Sequence, residues 1–153
     1  MTATKILRLI ALLLVLLPLF AQAAERYAFP KADLARMINL FARDVANPRY
    51  YALDGSLDSP QALTTDAGET AEYVAFNLIP SVKGARGFGP TYFMNIVSGQ
   101  VFRLDIGCTE QTSPRLTAYL NRYRARHPIP AETLAKHQAH FQKLLAGADI
   151  CSK

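Results

Sequence analysis

Two cysteines, Cys108 and Cys151, stand 43 residues apart in a chain whose first residues mark it for export. This combination constrains the fold most, because a lone cysteine pair in an oxidising compartment normally closes into a disulfide. The export signal is read from three parts. Lys5 and Arg8 give a positive start, Leu9 to Phe20 is an unbroken run of twelve apolar residues, and Ala21-Gln22-Ala23 is a small-x-small cleavage site. Twelve residues are too few to span a bilayer core, which takes about 20 in a helix. The expectation is a cleaved signal peptide over residues 1–23, a single globular domain over 24–153, and no stable membrane span after processing. The location expected is periplasmic or secreted. Closing the Cys108–Cys151 loop should add ~4 kcal/mol of stability. A redox pair would more typically be C-x-x-C, and zinc needs more ligands than are in evidence, so the bond reads as structural and no metal or other cofactor is expected.

Processing leaves 130 residues. A chain of that size buries roughly two-thirds of its unfolded surface, enough for one core. The leader holds two of the seventeen basic residues and none of the twelve acidic ones, so the mature charge is +3. So little excess charge on an exported chain argues against nucleic acid as partner.

Pro30 opens a helical stretch in which Leu34, Met37, Ile38, Phe41 and Val45 form one apolar stripe. Asn47-Pro48 ends it, since the residue before proline is pushed out of the α region. Residues 49–53 read as an edge strand before the Asp54-Gly55 turn. Ser59 and Pro60 read as the cap and first position of a helical turn reaching about Thr65. The stretch from Glu69 to Ile79 fits both a strand and a helical face. Alternation of Val74, Phe76 and Leu78 with Tyr73, Ala75 and Asn77 favours the strand. Thr91 to Val97 and Gln100 to Ile106 read as a hairpin joined by a two-residue Ser98-Gly99 connection. Two helices follow. Ser113 caps and Pro114 begins the first, with Leu116, Tyr119, Leu120 and Tyr123 inward, and His127-Pro128 stops it. The second follows Pro130, with Leu134, Phe141, Leu144 and Leu145 inward, and Gly147 ends it. The class expected is α+β: an N-terminal helix and two C-terminal helices packed on one face of a three- to four-stranded antiparallel sheet, with one disulfide.

Three features carry candidate chemistry. His137 and His140 are spaced i, i+3, but without the i, i+4 pair of H-E-x-x-H or a third ligand at diagnostic spacing. His137 is expected to border the apolar stripe and His140 to be solvated. Gly84, Gly87 and Gly89 make a glycine-rich loop with Lys83 and Arg86, and Phe88 at its tip suits an exposed anchor for a partner protein. Arg115, Arg122, Arg124 and Arg126 give one helix an arginine-heavy outer face, with Arg122 and Arg126 as its contact residues for an acidic partner. No catalytic residue is assigned. There is no G-x-S-x-G elbow and no free cysteine once the disulfide forms. Glu69, Glu72, Asp105 and Glu110 are scattered acids whose spacing does not pair them.

The order of strand, glycine loop, strand, Ser-Gly turn and strand from Tyr73 to Ile106, with Tyr92 to Val101 at its centre, resembles hairpins in small exported domains of the PepSY and NTF2-like kinds. Those groups include inhibitory and immunity modules. The resemblance covers about a quarter of the mature chain and rests on a generic turn, so it assigns no membership. The function expected is therefore binding without catalysis, by a module that inhibits or neutralises another envelope or secreted protein. A small hydrolase, whose acids and histidines converge only in the fold, is the alternative. Titratable groups gathered in one concave pocket would point to the enzyme, and an exposed apolar or arginine-rich patch to the binder.

Overall fold

The computed structural model describes residues 27–46, 51–54, 57, 59–81, 89–105, 107–147 and 149–151. Helix α1 (Lys31–Val45) is followed by strands β1 (Tyr51–Asp54), β2 (Gln61–Thr64), β3 (Thr70–Pro80), β4 (Thr91–Asn95), β5 (Val101–Asp105) and β6 (Gly107–Gln111). Helices α2 (Pro114–Arg126) and α3 (Ala131–Gly147) come next, and a 3₁₀ turn, Asp149–Cys151, closes the described chain. All strand pairs are antiparallel, in the order β1-β3-β4-β5-β6, and β2 also pairs with β3. β1 takes the C-terminal half of β3 and β2 the N-terminal half, so six strands fill five positions. The α+β class and the three helices stand as expected; the sheet is wider than expected.

The helices divide between the two faces of the sheet. Val74, Phe76 and Leu78 of β3 pack with Tyr92, Met94 and Val101 under α1 and α2. Their neighbours Tyr73, Phe93 and Phe102 point the other way, to Phe141 and Leu144 of α3. The cause lies in the strands, where successive side chains alternate faces and both neighbours are apolar. A sheet apolar on both sides needs a cover on both sides. The expectation of helices on one face is corrected accordingly.

Two local readings also change. Residues 61–64 are strand, not the expected helical turn: β2 zips onto β3 through a turn in which Gly68 (φ +79°) donates to the Thr65 carbonyl at 2.8 Å. One apolar side chain, Leu63, buried in the α3-side core, suffices to seat so short a strand, and pairing overrides the helix-start signal at Ser59-Pro60. The β4–β5 connection is longer than two residues. Asn95 N donates to Gln100 O at 2.9 Å, and Ile96, Val97, Ser98 and Gly99 lie between.

That connection is buried, so its backbone polar groups need partners. Asn95 Oδ1 accepts from Val97 N at 3.0 Å and Ser98 N at 2.8 Å. Phe29 N donates to Ile96 O at 2.8 Å, and Arg124 Nη2 donates to Ser98 O at 2.6 Å. Gly99 sits at φ +68°, and a Cβ there would lie 2.8 Å from Leu120 Cδ2. The turn and α2 thus lock together.

The α1–α2 junction is tied by one carboxylate. Ser113 Oγ donates to Asp44 Oδ2 at 2.6 Å while accepting from Leu116 N at 3.1 Å, as the expected N-cap. Arg115 N also donates to Asp44 Oδ2, at 3.0 Å. These bonds, Ser113 first, hold the Asp44 carboxyl below its ordinary range. Cys108 in β6 and Cys151 in the 3₁₀ turn are bonded, with Cα atoms 4.9 Å apart. The bond staples the tail to the edge strand. Among the described residues no helix is long and apolar enough to cross a membrane.

Candidate functional site

A cleft of about 740 Å³ opens where the β2–β3 hairpin and the β4–β5 turn meet the middle of α3. Its volume falls within the range of small-ligand pockets. Small residues are among its lining: Ala62, Gly68, Ala71 and Ala139, with Ile96 and Val97 from the turn. Its chemistry comes from Glu69, Glu72, Lys136, His137, His140 and Lys143.

Helical spacing puts these α3 residues together. Positions 136, 140 and 143 follow one another at i+4 and i+3, and 137 lies three before 140, so all four reach the hairpin side. His140 is buried, contrary to the expectation of a solvated residue. Its Nδ1 lies 3.1 Å from Tyr73 Oη and its Nε2 lies 3.1 Å from the Glu69 carbonyl oxygen. A carbonyl only accepts, so Nε2 carries a proton, and in the neutral ring Nδ1 accepts from the Tyr73 hydroxyl. The ring therefore fastens α3 to the sheet and to the hairpin turn. Burial pushes the His140 pKa down, opposed in part by the bond to Glu69.

Tyr73 is fully buried, and burial pushes its hydroxyl up to about 12. Asn95, its partner across the β3/β4 register, tempers that rise, although its Nδ2 does not reach hydrogen-bond geometry. Glu69 takes Lys143 Nζ on both carboxylate oxygens, each at 2.8 Å. That pairing is the main reason its pKa is lowered.

His137 differs from His140. It is 9% exposed, and its Nδ1 is buried without a hydrogen-bond partner. Burial lowers its pKa, and His140 and Lys136 push in the same direction. A buried polar atom left unpaired costs on the order of 1–3 kcal/mol. Among the described residues it is the buried polar atom of the cleft wall left without a partner.

The residues singled out from sequence do not gather here. Arg122 and Arg126 are exposed on α2, and neither lines the cleft; Arg126 Nε donates to Arg122 O at 3.3 Å. Arg115 and Arg124 are spent on Asp44 and Ser98, so the outer arginine face is smaller than the spacing implied. Lys83, Arg86 and Phe88 lie outside the described residues. Gly89 is described: a Cβ there would collide with the Leu78 carbonyl, so this glycine permits a close backbone approach to β3. Among the described residues no group of three His, Cys, Asp or Glu is placed to hold a metal ion.

Sequence reasoning missed Lys136, Lys143 and the Tyr73–His140 bond. The Lys-His-x-x-His-x-x-Lys run from 136 to 143 was a legible sign that one helix face is polar, but nothing local shows that the hairpin covers it. No family model, curated protein or solved structure matches this chain.

Proposed function

We propose that this chain is an exported, non-catalytic binding module that inhibits or neutralises another envelope or secreted protein, with the α3 cleft as its recognition surface. The observation that carries this reading is the state of His140. It is the most enclosed titratable group of the cleft, yet both its nitrogens serve the fold, on Tyr73 and Glu69. Among the described residues lining the cleft the hydroxyl side chain is Thr70, and the hydrogen bonds of His140 go elsewhere, to Tyr73 and the Glu69 carbonyl. That supports binding over catalysis, because the enclosed base of the cleft is not poised on a nucleophile there. The leader and the Cys108–Cys151 bond support an extracytoplasmic setting.

One observation favours the hydrolase reading instead. His137, Glu69 and Glu72 share a concave surface, the arrangement named above as the mark of an enzyme. The two readings separate experimentally. A photo-crosslinking residue is placed at position 139 in the cleft and, separately, at 122 on α2, in protein exported by its own cells. One stoichiometric envelope or secreted protein crosslinked from 139, with none from 122, is the expected result. Capture from 122 alone would move the surface to α2. Turnover of ester, peptide or glycoside substrates that is lost in His137→Gln would replace binding by catalysis.

A further inference from the structure

Resting on that reading, the polar groups of the cleft narrow what enters it. Of its two lysines, Lys143 is neutralised by Glu69, which it holds through both oxygens. Lys136 is exposed at the rim, adjacent in sequence to His137. His137 Nδ1 is buried and unpartnered in the same wall. The cleft thus offers, on successive residues of α3, an exposed ammonium that acts on Glu69 through charge alone and a buried imidazole nitrogen without a partner. We propose that it is a carboxylate-binding site, in which His137 donates through Nδ1 and Lys136 supplies the countercharge.

The charge balance selects the class. A phosphate or a dicarboxylate brings two negative charges into a cleft whose two lysines, Lys136 and Lys143, are already matched in number by Glu69 and Glu72. A single carboxylate brings one, which the exposed Lys136 ammonium and the His137 N–H meet together, and such charge-assisted bonds are stronger than neutral ones. Ala62, Gly68, Ala71 and Ala139 leave room beside it for a short side chain. The carboxylate comes either from a free chain end or small acid, or from an acidic side chain within the partner's chain.

The test is an NMR titration of the intact, oxidised protein, read at the His137 and His140 rings. Three probes are used: N-acetylalanine, its uncharged amide, and the blocked tripeptide acetyl-Ala-Glu-Ala-amide. At least one carboxylate probe should saturate below about 10 mM and shift the His137 ring, with the amide of N-acetylalanine at least about tenfold weaker. N-acetylalanine binding alone assigns a chain end or small acid, and tripeptide binding assigns an internal acidic side chain. The His137 pKa should rise on binding, because a carboxylate opposes the burial and the His140 and Lys136 charges that now lower it, whereas Tyr73, Glu69, Glu72 and Lys143 keep their positions. Lys136→Gln, on an exposed residue, should leave thermal unfolding unchanged and weaken binding about tenfold. His137→Phe should abolish the saturable shift. If His137→Phe does not fold, the amide comparison and Lys136→Gln still decide. Equal binding of acid and amide, or no saturation by any carboxylate, overturns the assignment. A crosslinked partner at position 139 would then leave the binding-module reading standing on its own.

Discussion

Replacing Tyr73 by Phe removes one oxygen from a side chain that is completely buried, and nothing else. That oxygen donates to His140 Nδ1, so the variant leaves a buried imidazole nitrogen without its donor. The lost bond and the unpaired acceptor together should cost about 1–2 kcal/mol. His140→Phe does the converse, stranding the Tyr73 hydroxyl and removing the bond to the Glu69 carbonyl, for about 2 kcal/mol. The Glu69 carbonyl is not orphaned, since Thr65 N still donates to it at 2.9 Å. In the double variant two buried phenyl rings face each other with no stranded polar atom. Its cost should therefore fall short of the sum of the singles by about 1 kcal/mol. Urea unfolding at pH 7.5 with the disulfide intact measures all four proteins, on the condition that the slope of free energy against urea is unchanged. Singles that add within about 0.3 kcal/mol would mean that the two side chains do not meet. His140 would then be the solvated helix residue that its position in the sequence suggests.

Four further outcomes follow from other parts of the molecule. His137 and His140 both have folded pKa values below their unfolded value of about 6.5, so the unfolded chain binds protons first as the pH falls. Stability should therefore be full above about pH 6.5 and decline as the pH drops through the folded pKa values, with His140→Gln flattening the slope; a flat profile between pH 7.5 and 5 would contradict it. The lowered carboxyls of Asp44 and Glu69 act only in a more acidic window, below about pH 4.5. Cys151→Ser should cost about 4 kcal/mol through its 43-residue loop, and thiol titration of the unfolded, unreduced wild type should find no free sulfhydryl. Gly99→Ala meets both a positive φ and the Leu120 side chain, so it should lose about 1–3 kcal/mol by thermal or urea unfolding, against less than about 0.5 for an exposed substitution such as Arg122→Ala. N-terminal sequencing of exported material should begin at Ala24 or Glu25.

The helices were legible because each carries its own instructions. The stripe Leu34–Met37–Ile38–Phe41, the Ser113-Pro114 start and the stops at His127-Pro128 and Gly147 are local signals, and α1, α2 and α3 follow them closely. The disulfide was legible for a similar reason, since only one pairing of Cys108 and Cys151 exists. The division of the helices between two faces also had a trace in the sequence. Adjacent apolar pairs such as Tyr73-Val74, Phe93-Met94 and Val101-Phe102 ask for cover on both sides of a strand.

Other features depend on what lies opposite, which no local pattern encodes. Residues 61–64 became a strand because the first half of β3 was there to pair with them. Arg124 turned from a surface charge into a clasp because the Ser98 carbonyl was buried within reach. The cleft was decided in the same way. Amino-acid order placed Lys136, His137, His140 and Lys143 along one helix, but packing on the sheet gave them different roles. Tyr73 and the Glu69 carbonyl took both nitrogens of His140, and the Glu69 carboxylate took Lys143. The environment of a polar side chain is set by the groups brought against it, here from β3 and the hairpin turn about 70 residues earlier in the chain, and periodicity along one helix carries no information about them.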